Sequence, residues 1–188
     1  NIWELFRDRR FIANTRVDIC SSVLKRELCL KWMKKNAPDA QVILGLDWTE
    51  PHRVERSRTR WADDGYTVEY PLCEKPYLLK PESFARCREA GIEPPRLYQY
   101  GFEHNNCGGG CVKGGQGQWA RLLATFPERY AWHEEQEQQF RAWIEKDVSI
   151  LRDRAHAGTK PMTLKEFRER IEAGKPPQDD LFLCNCMG

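Results

Sequence analysis

Cys107 and Cys111 bracket three consecutive glycines in GFEHNNCGGGCVKGGQGQW, residues 101–119. Two thiols at this spacing can be soft ligands for a metal or the two halves of a redox pair. The glycines between them tolerate positive φ and let the backbone fold tightly around the sulfurs. A CxxxC loop alone is a weak metal signal, so the remaining cysteines matter. Cys184 and Cys186, in CNC, are too close in sequence to bridge each other with good disulfide geometry. Cys20 stands where a helix is expected to begin, and a helix N-terminus lowers a thiol's pKa. The Gly and Asn neighbours of Cys107, Cys111, Cys184 and Cys186 offer no core to fill, which favours a metal cluster or a redox site. Cys29, Cys73 and Cys87 lie inside apolar patterns and are expected to be small core residues. Four thiolates suit Zn²⁺ and an iron–sulfur cluster alike, since both accept soft sulfur in tetrahedral geometry.

The same stretch carries a second chemistry. GCVKGGQGQW is a glycine-rich run opening onto a helix, with Lys113 available to a phosphate or sulfate. It lacks the Gly-Lys-Ser/Thr of a P-loop, and the competing reading is a tight turn that supports the cysteines. Further anion candidates are Lys25 and Arg26 on the expected helix, and Arg53 with Glu50 just past an expected strand, where α/β sheets bind ligands. Arg56, Arg58 and Arg60 read as a solvated surface. His104 is either a loop hydrogen-bonder or a substrate contact.

These residues hang on a recognisable series of elements. A helix is expected from near Cys20, through DICSSVLKRELCLKWMKK. AQVILGLDW reads as a buried strand and TVEYPL, residues 67–72, as a second strand. LKPESFARCREAGIEPP reads as a helix with Pro81 near its start and Gly91 as its stop. Residues 117–155 are helical by period, divided at Pro127, and TLKEFRERIEAGK forms a last helix capped by Thr163 and stopped by Gly174. A chain of 188 residues, 40% hydrophobic, is long enough for a core, and its net charge of +2 argues for no global nucleic-acid field. No apolar run approaches a membrane span or a signal peptide, so no membrane contact and a cytoplasmic location are expected. Long helical patterns argue against a disulfide scaffold. Two strands are too few for a parallel sheet carrying this many helices. The missing strands are expected to precede residue 1 or to come from another chain.

YPLCEKPYLLKPESFARCREAGIEPPRLYQYGFEHNNCGGGC, residues 70–111, resembles a stretch of the phosphoadenosine phosphosulfate reductase-like family, within the adenine nucleotide α-hydrolase-like superfamily. That stretch runs from a PL strand, through a helix ending in GI, to PLYxxGFxRxGCxxC. DICSSVLKRE similarly resembles the family's cysteine followed by a basic pair, and GLDWTEPHR its glycine loop with Glu and Arg. The likeness covers about residues 10–120, and phage-encoded members are the nearest in pattern. It implies an α/β fold: a Rossmann-like parallel sheet with flanking helices, incomplete at the N-terminus, followed by a helical C-terminal extension. On this reading residues 1–116 are the C-terminal part of a nucleotide α-hydrolase-like domain, and residues 117–188 the extension with its cysteine-bearing tail. The family's SGGKDS nucleotide loop is not in this chain; a partner chain or a preceding segment would supply it.

What the resemblance implies is a reductase-like or sulfur-transferring oxidoreductase acting on an adenine nucleotide or sulfonucleotide (ATP or adenylyl-sulfate type), with a nucleic acid as a further substrate class. Lys25, Arg26, Glu50, Arg53, His104 and Lys113 would bind substrate. Some relatives hold a [4Fe–4S] cluster between a cysteine near the basic pair and a CxxC some eighty residues later, so Cys20, Cys107 and Cys111 would be ligands, completed by Cys184 or Cys186. This chain departs by Ser21 in place of a second adjacent cysteine and by CxxxC in place of CxxC. Other relatives use a cysteine near the C-terminus as nucleophile, which makes Cys184 and Cys186 catalytic candidates. The alternative, from a different class, is a non-catalytic module stapled by zinc that binds nucleic acid or a protein partner.

Overall fold

The computed structural model describes residues 1–13, 17, 19–153 and 159–178. In chain order the elements are α1 (Ile2–Arg9), α2 (Ile19–Ser21), a π-helical stretch (Ser22–Arg26), α3 (Glu27–Asn36), β1 (Val42–Ile43), α4 (Pro51–Asp63), β2 (Val68–Glu69) and α5 (Lys80–Glu89). Three short 3₁₀ turns are interspersed around and after α5, and α6 (Gln116–Thr125), α7 (Pro127–Ile144), β3 (Leu151–Asp153), β4 (Lys160–Met162) and α8 (Leu164–Glu172) follow. The protein is thus a mixed helix-and-strand fold with two small two-stranded sheets among the described residues. No described helix is long and apolar enough to cross a membrane.

The chain forms two compact units. One spans Val23–Pro94. In it β1 and β2 pair in parallel, Val42 opposite Val68 and Ile43 opposite Glu69, with α4 as the connection that a parallel pair requires. Its core is thin: Leu46, Val54 and Tyr70 are buried, with Leu44, Val68 and Cys73 against them. Cys73 donates to the Leu46 carbonyl at 3.4 Å, so its placement in an apolar pattern was informative. Cys29, expected in a core, is exposed on α3, because no residue of that helix is buried.

The other unit joins Asn1–Ser22 to the chain from Pro95 onward, around a core that includes Trp3, Phe6, Trp119, Leu122, Tyr130, Phe140 and Phe167. The boundary expected between residues 116 and 117 falls inside this core: Trp3 and Phe6 of α1, Leu97 and Phe102 before it, and α6 to α8 after it are buried together. Pro127 opens α7 as expected, since a proline's missing N–H costs nothing in a first turn. Thr163 caps α8 in a reciprocal capping box with Glu166, and Gly174 follows that helix at φ +75°.

Residues 145–153 depart from the helix expected through 155. Glu145 ends α7 in the left-handed conformation at φ 55°, and Leu151–Asp153 instead pairs antiparallel with Lys160–Met162. The cause is one buried carboxylate. Glu137, fully buried on α7, accepts the Ile150 N–H on one oxygen at 2.9 Å and the Leu164 N–H on the other at 2.6 Å. Arg141, one turn on, donates to the Val148 carbonyl and pairs with Asp147 at 2.9 Å. Side chains of α7 thereby supply hydrogen bonds that a continued helix would have made internally.

Burial pushes the Glu137 carboxyl up to about 7 from an ordinary 4.5, against the pull of the two backbone donors. Between those values the folded state holds a proton that the unfolded chain releases. The stability this group contributes is therefore full below about pH 4.5 and is lost as pH rises through 7. Glu137→Gln turns an amide N–H₂ towards one of the two backbone donors and is expected to cost about 2–4 kcal/mol near neutral pH. The gap in urea midpoint between wild type and E137Q should widen as pH is lowered from 7 to 4.5; a constant gap would show that Glu137 titrates alike in both states.

Candidate functional site

The cysteine loop is held in place by what the glycines leave out. Cys107 and Gly108 both take left-handed backbone, at φ 51° and 60°, and Gly109 follows at φ 93°. Asn106–Gly109 is a 3₁₀ turn closed by the Gly110 N–H donating to the Cys107 carbonyl at 3.2 Å. Each glycine of the triplet meets a different side chain. Arg129 donates to the Gly108 carbonyl, and Gln118 donates to the Gly109 carbonyl at 2.8 Å. A Cβ on Gly109 would lie 2.9 Å from the Phe102 ring, and one on Gly110 would collide with the His133 imidazole. The triplet is therefore a packing requirement as well as a conformational one.

Behind the loop, His133 is buried on α7 and ringed by Trp3, Trp119 and Trp132, with ring centroids 6.2, 5.2 and 4.8 Å away. The Trp3 indole N–H donates to Nδ1 at 3.1 Å, so the neutral ring carries its proton on Nε2, the nitrogen against Gly110. Burial, helped by the nearby Arg129 charge, lowers this imidazole to about 4, which keeps it neutral at ordinary pH.

The two thiols are in contact. Cys107 is exposed and Cys111 is buried. The Cys111 thiol is held far above the ordinary thiol range, first by its hydrogen bond with Cys107 and then by burial, while backbone N–H groups of Lys113 and Gly114 pull it back. Physically, the buried Cys111 thiol keeps its proton. The Gly114 N–H also donates to the Cys111 carbonyl at 2.8 Å, which tightens the turn after the second sulfur. The Lys113 backbone N–H also serves Cys111.

The other expected residues are distributed. Cys20 is partly buried and packed against the core of the unit that holds the cysteine loop. His104, partly buried, lies in the loop before Cys107. Lys25 is exposed and Arg26 partly buried in the π-helical stretch, and both belong to the Val23–Pro94 unit. Arg53 is buried in the first turn of α4, beyond the end of β1, and is ion-paired with Glu50 instead of being displayed. Burial lowers its pKa, with Asp47 opposing. Cys184 and Cys186 lie outside the described residues. Among the described residues no three His, Cys, Asp or Glu side chains gather into a set that could hold a metal, and Cys107 and Cys111 stand as a pair. The residues the sequence did not single out are Arg129, His133 and Gln118. Arg129 and His133 carry one signal, spacing, since Arg129, His133 and Glu137 recur every four residues along α7, whereas Gln118, on α6, carries none.

The glycine packing is testable. Gly109→Ala and Gly110→Ala are each expected to destabilise the protein by about 2–4 kcal/mol. Gly117, in α6 with nothing within 4 Å of where a Cβ would stand, should be neutral or gain about 0.5–1 kcal/mol on replacement by Ala. Thermal unfolding of the three variants checks this, and a harmless Gly110→Ala would mean that His133 does not press on the loop. Compared with protein-family models, with curated proteins and with solved structures, the chain matches none.

Proposed function

We propose that the chain is part of a reductase-like or sulfur-transfer enzyme of the phosphoadenosine phosphosulfate reductase-like kind, working in the cytoplasm, with the Cys107–Cys111 pair as its thiol centre. The observation that carries the reading is the contact between an exposed and a buried thiol in a loop built around them. Reduction of an activated sulfate needs two thiols. One takes the sulfo group as the nucleotide leaves, and a second attacks the sulfur of the first, expelling sulfite and leaving a disulfide. The second attack needs a thiol in contact with the sulfur that carries the sulfo group, which Cys111 provides where Cys107 takes it; Cys184 and Cys186 are the other candidates for the first step.

The parallel β1–α4–β2 unit supports the Rossmann-like part of the reading. Lys25, exposed, and Arg26, partly buried, are the cations for a nucleotide's phosphate or sulfate, while Arg53 and Glu50 act first on each other. A [4Fe–4S] cluster or zinc would draw on Cys107 and Cys111 together with Cys20, Cys184 or Cys186. Backbone N–H groups aimed at the Cys111 sulfur suit a thiolate ligand, and a cluster would supply electron transfer. Cys107 and Cys111 would provide two of its ligands. The same N–H groups favour the alternative of a zinc-stapled module for a nucleic acid or protein partner.

Reversible oxidation tests the dithiol. Equilibrated in thiol redox buffers, the unmodified chain should lose two hydrogens at Cys107 and Cys111, read by peptide mass, and Cys107→Ser or Cys111→Ser should abolish that loss. Metal analysis after anaerobic purification is the counter-test. Iron with sulfide that disappears in either variant would replace the dithiol by a cluster, and zinc without sulfide would favour the stapled module.

A further inference from the structure

A cavity of about 450 Å³ opens beside the cysteine loop, within the range of small-molecule sites. Gly108, the residue after Cys107, forms part of its wall, with Asn105 alongside. Its charged lining is Arg96 and Arg129, and among the described residues no carboxylate lines it. Tyr100 and Phe126 form the apolar side, meeting edge to face with centroids 5.2 Å apart. Arg129 is fixed by two contacts: its guanidinium lies 5.1 Å from the Phe126 ring centre and donates to the Gly108 carbonyl. Arg121, outside the cavity, donates to the Tyr100 carbonyl at 3.3 Å and steadies that wall. Two guanidiniums with no lining counter-charge select a ligand bearing two anionic groups, because each fork matches one carboxylate. The exposed Cys107 next door selects a ligand that reacts with thiols.

We propose that this pocket receives a small disulfide carrying carboxylates, of the oxidised-glutathione type, and presents it to Cys107 as the oxidant of the Cys107–Cys111 pair. The inference rests on the dithiol reading above. Cys107 thiolate attacks one sulfur of the bound disulfide, forming a mixed disulfide and expelling the first small thiolate. Cys111 then attacks the Cys107 sulfur, forming the internal disulfide and expelling the second. Two electrons pass from the protein to the ligand, and the two protons of the dithiol end on the two small thiols. Run in reverse, with the reduced small thiol in excess, the same site regenerates the dithiol.

The experiment uses the full chain with Cys111→Ser, which traps the mixed disulfide, and follows its formation at Cys107 by peptide mass. Oxidised glutathione is compared with uncharged hydroxyethyl disulfide and with dicationic cystamine. The expected order is glutathione fastest and cystamine slowest, with glutathione ahead of the neutral disulfide by about 10-fold or more at low salt and less so as salt rises. Arg96→Gln, at an exposed position, should bring that ratio close to one. Equal rates for all three disulfides, or a ratio unmoved by R96Q, would overturn the pocket while leaving the dithiol in place. A Cys107 that reacts with none of them would overturn both.

Discussion

Helix α7 carries a stripe of polar side chains at intervals of four residues, and the larger unit is organised around it. Arg129 holds the Gly108 carbonyl, His133 accepts from Trp3 and presses on Gly110, Glu137 takes two backbone donors, and Arg141 takes the Val148 carbonyl. At 3.6 residues per turn, such a stripe stays on one face over this length. The helix therefore works as a rail to which three irregular segments are tied: the cysteine loop, the turn into β3 and the start of α8. Irregular backbone can be buried only when its N–H and C=O groups find partners, and here a regular element provides them from its side chains.

The cost of that arrangement is two buried titratable groups with opposite responses. Glu137, raised to about 7, favours the fold in acid. His133, lowered to about 4 from 6.5, does the reverse: the unfolded chain binds the proton first, so its contribution is present above about 6.5 and is lost as pH falls towards 4. Between about 4.5 and 6.5 the two pull against each other, which keeps the rail from becoming a steep pH switch. Both groups remain in the core because each does something an apolar residue cannot, one accepting two backbone N–H groups and the other an indole N–H.

Much of the local structure was legible because it rests on short-range chemistry. Pro127 at a helix start, Thr163 with Glu166 as a cap, and Gly91 and Gly174 after helices all act within a few residues of themselves. Val42–Ile43 and Val68–Glu69 fall within the two segments expected as strands, but α4, the helix between them that allows a parallel pairing, was not read from the sequence. What escaped the pattern was α7's inward face. α7 buries His133 and Glu137 together with Tyr130, Phe140 and Ile144, so apolar residues alone outline only part of its inward face. The same blindness extended the helix past Glu145, since nothing local announces that Glu137 will capture Ile150. The cysteine loop was half legible: glycine spacing marked a tight turn, whereas the identity of what fills the vacant Cβ positions is a tertiary fact.

That tertiary fact bears on the chemistry of the thiols. A loop with three successive glycines would, left alone, sample many conformations, and two sulfurs on it would meet only part of the time. Tying Gly108 and Gly109 by their carbonyls and walling Gly110 with an imidazole removes that freedom before any reaction begins. The entropy of bringing sulfur to sulfur is met by folding rather than by each encounter, which raises the effective concentration of one thiol at the other. The asymmetry follows from the same packing. Cys111 is buried with its proton held by Cys107 and by burial, whereas Cys107 is exposed, so in the proposed exchange Cys107 would meet the ligand and Cys111 would complete it. A metal bound by this pair would use the same preorganisation, because thiolate ligands also require two sulfurs fixed together. The loop is consequently suited to sulfur chemistry through its geometry, whichever partner occupies it.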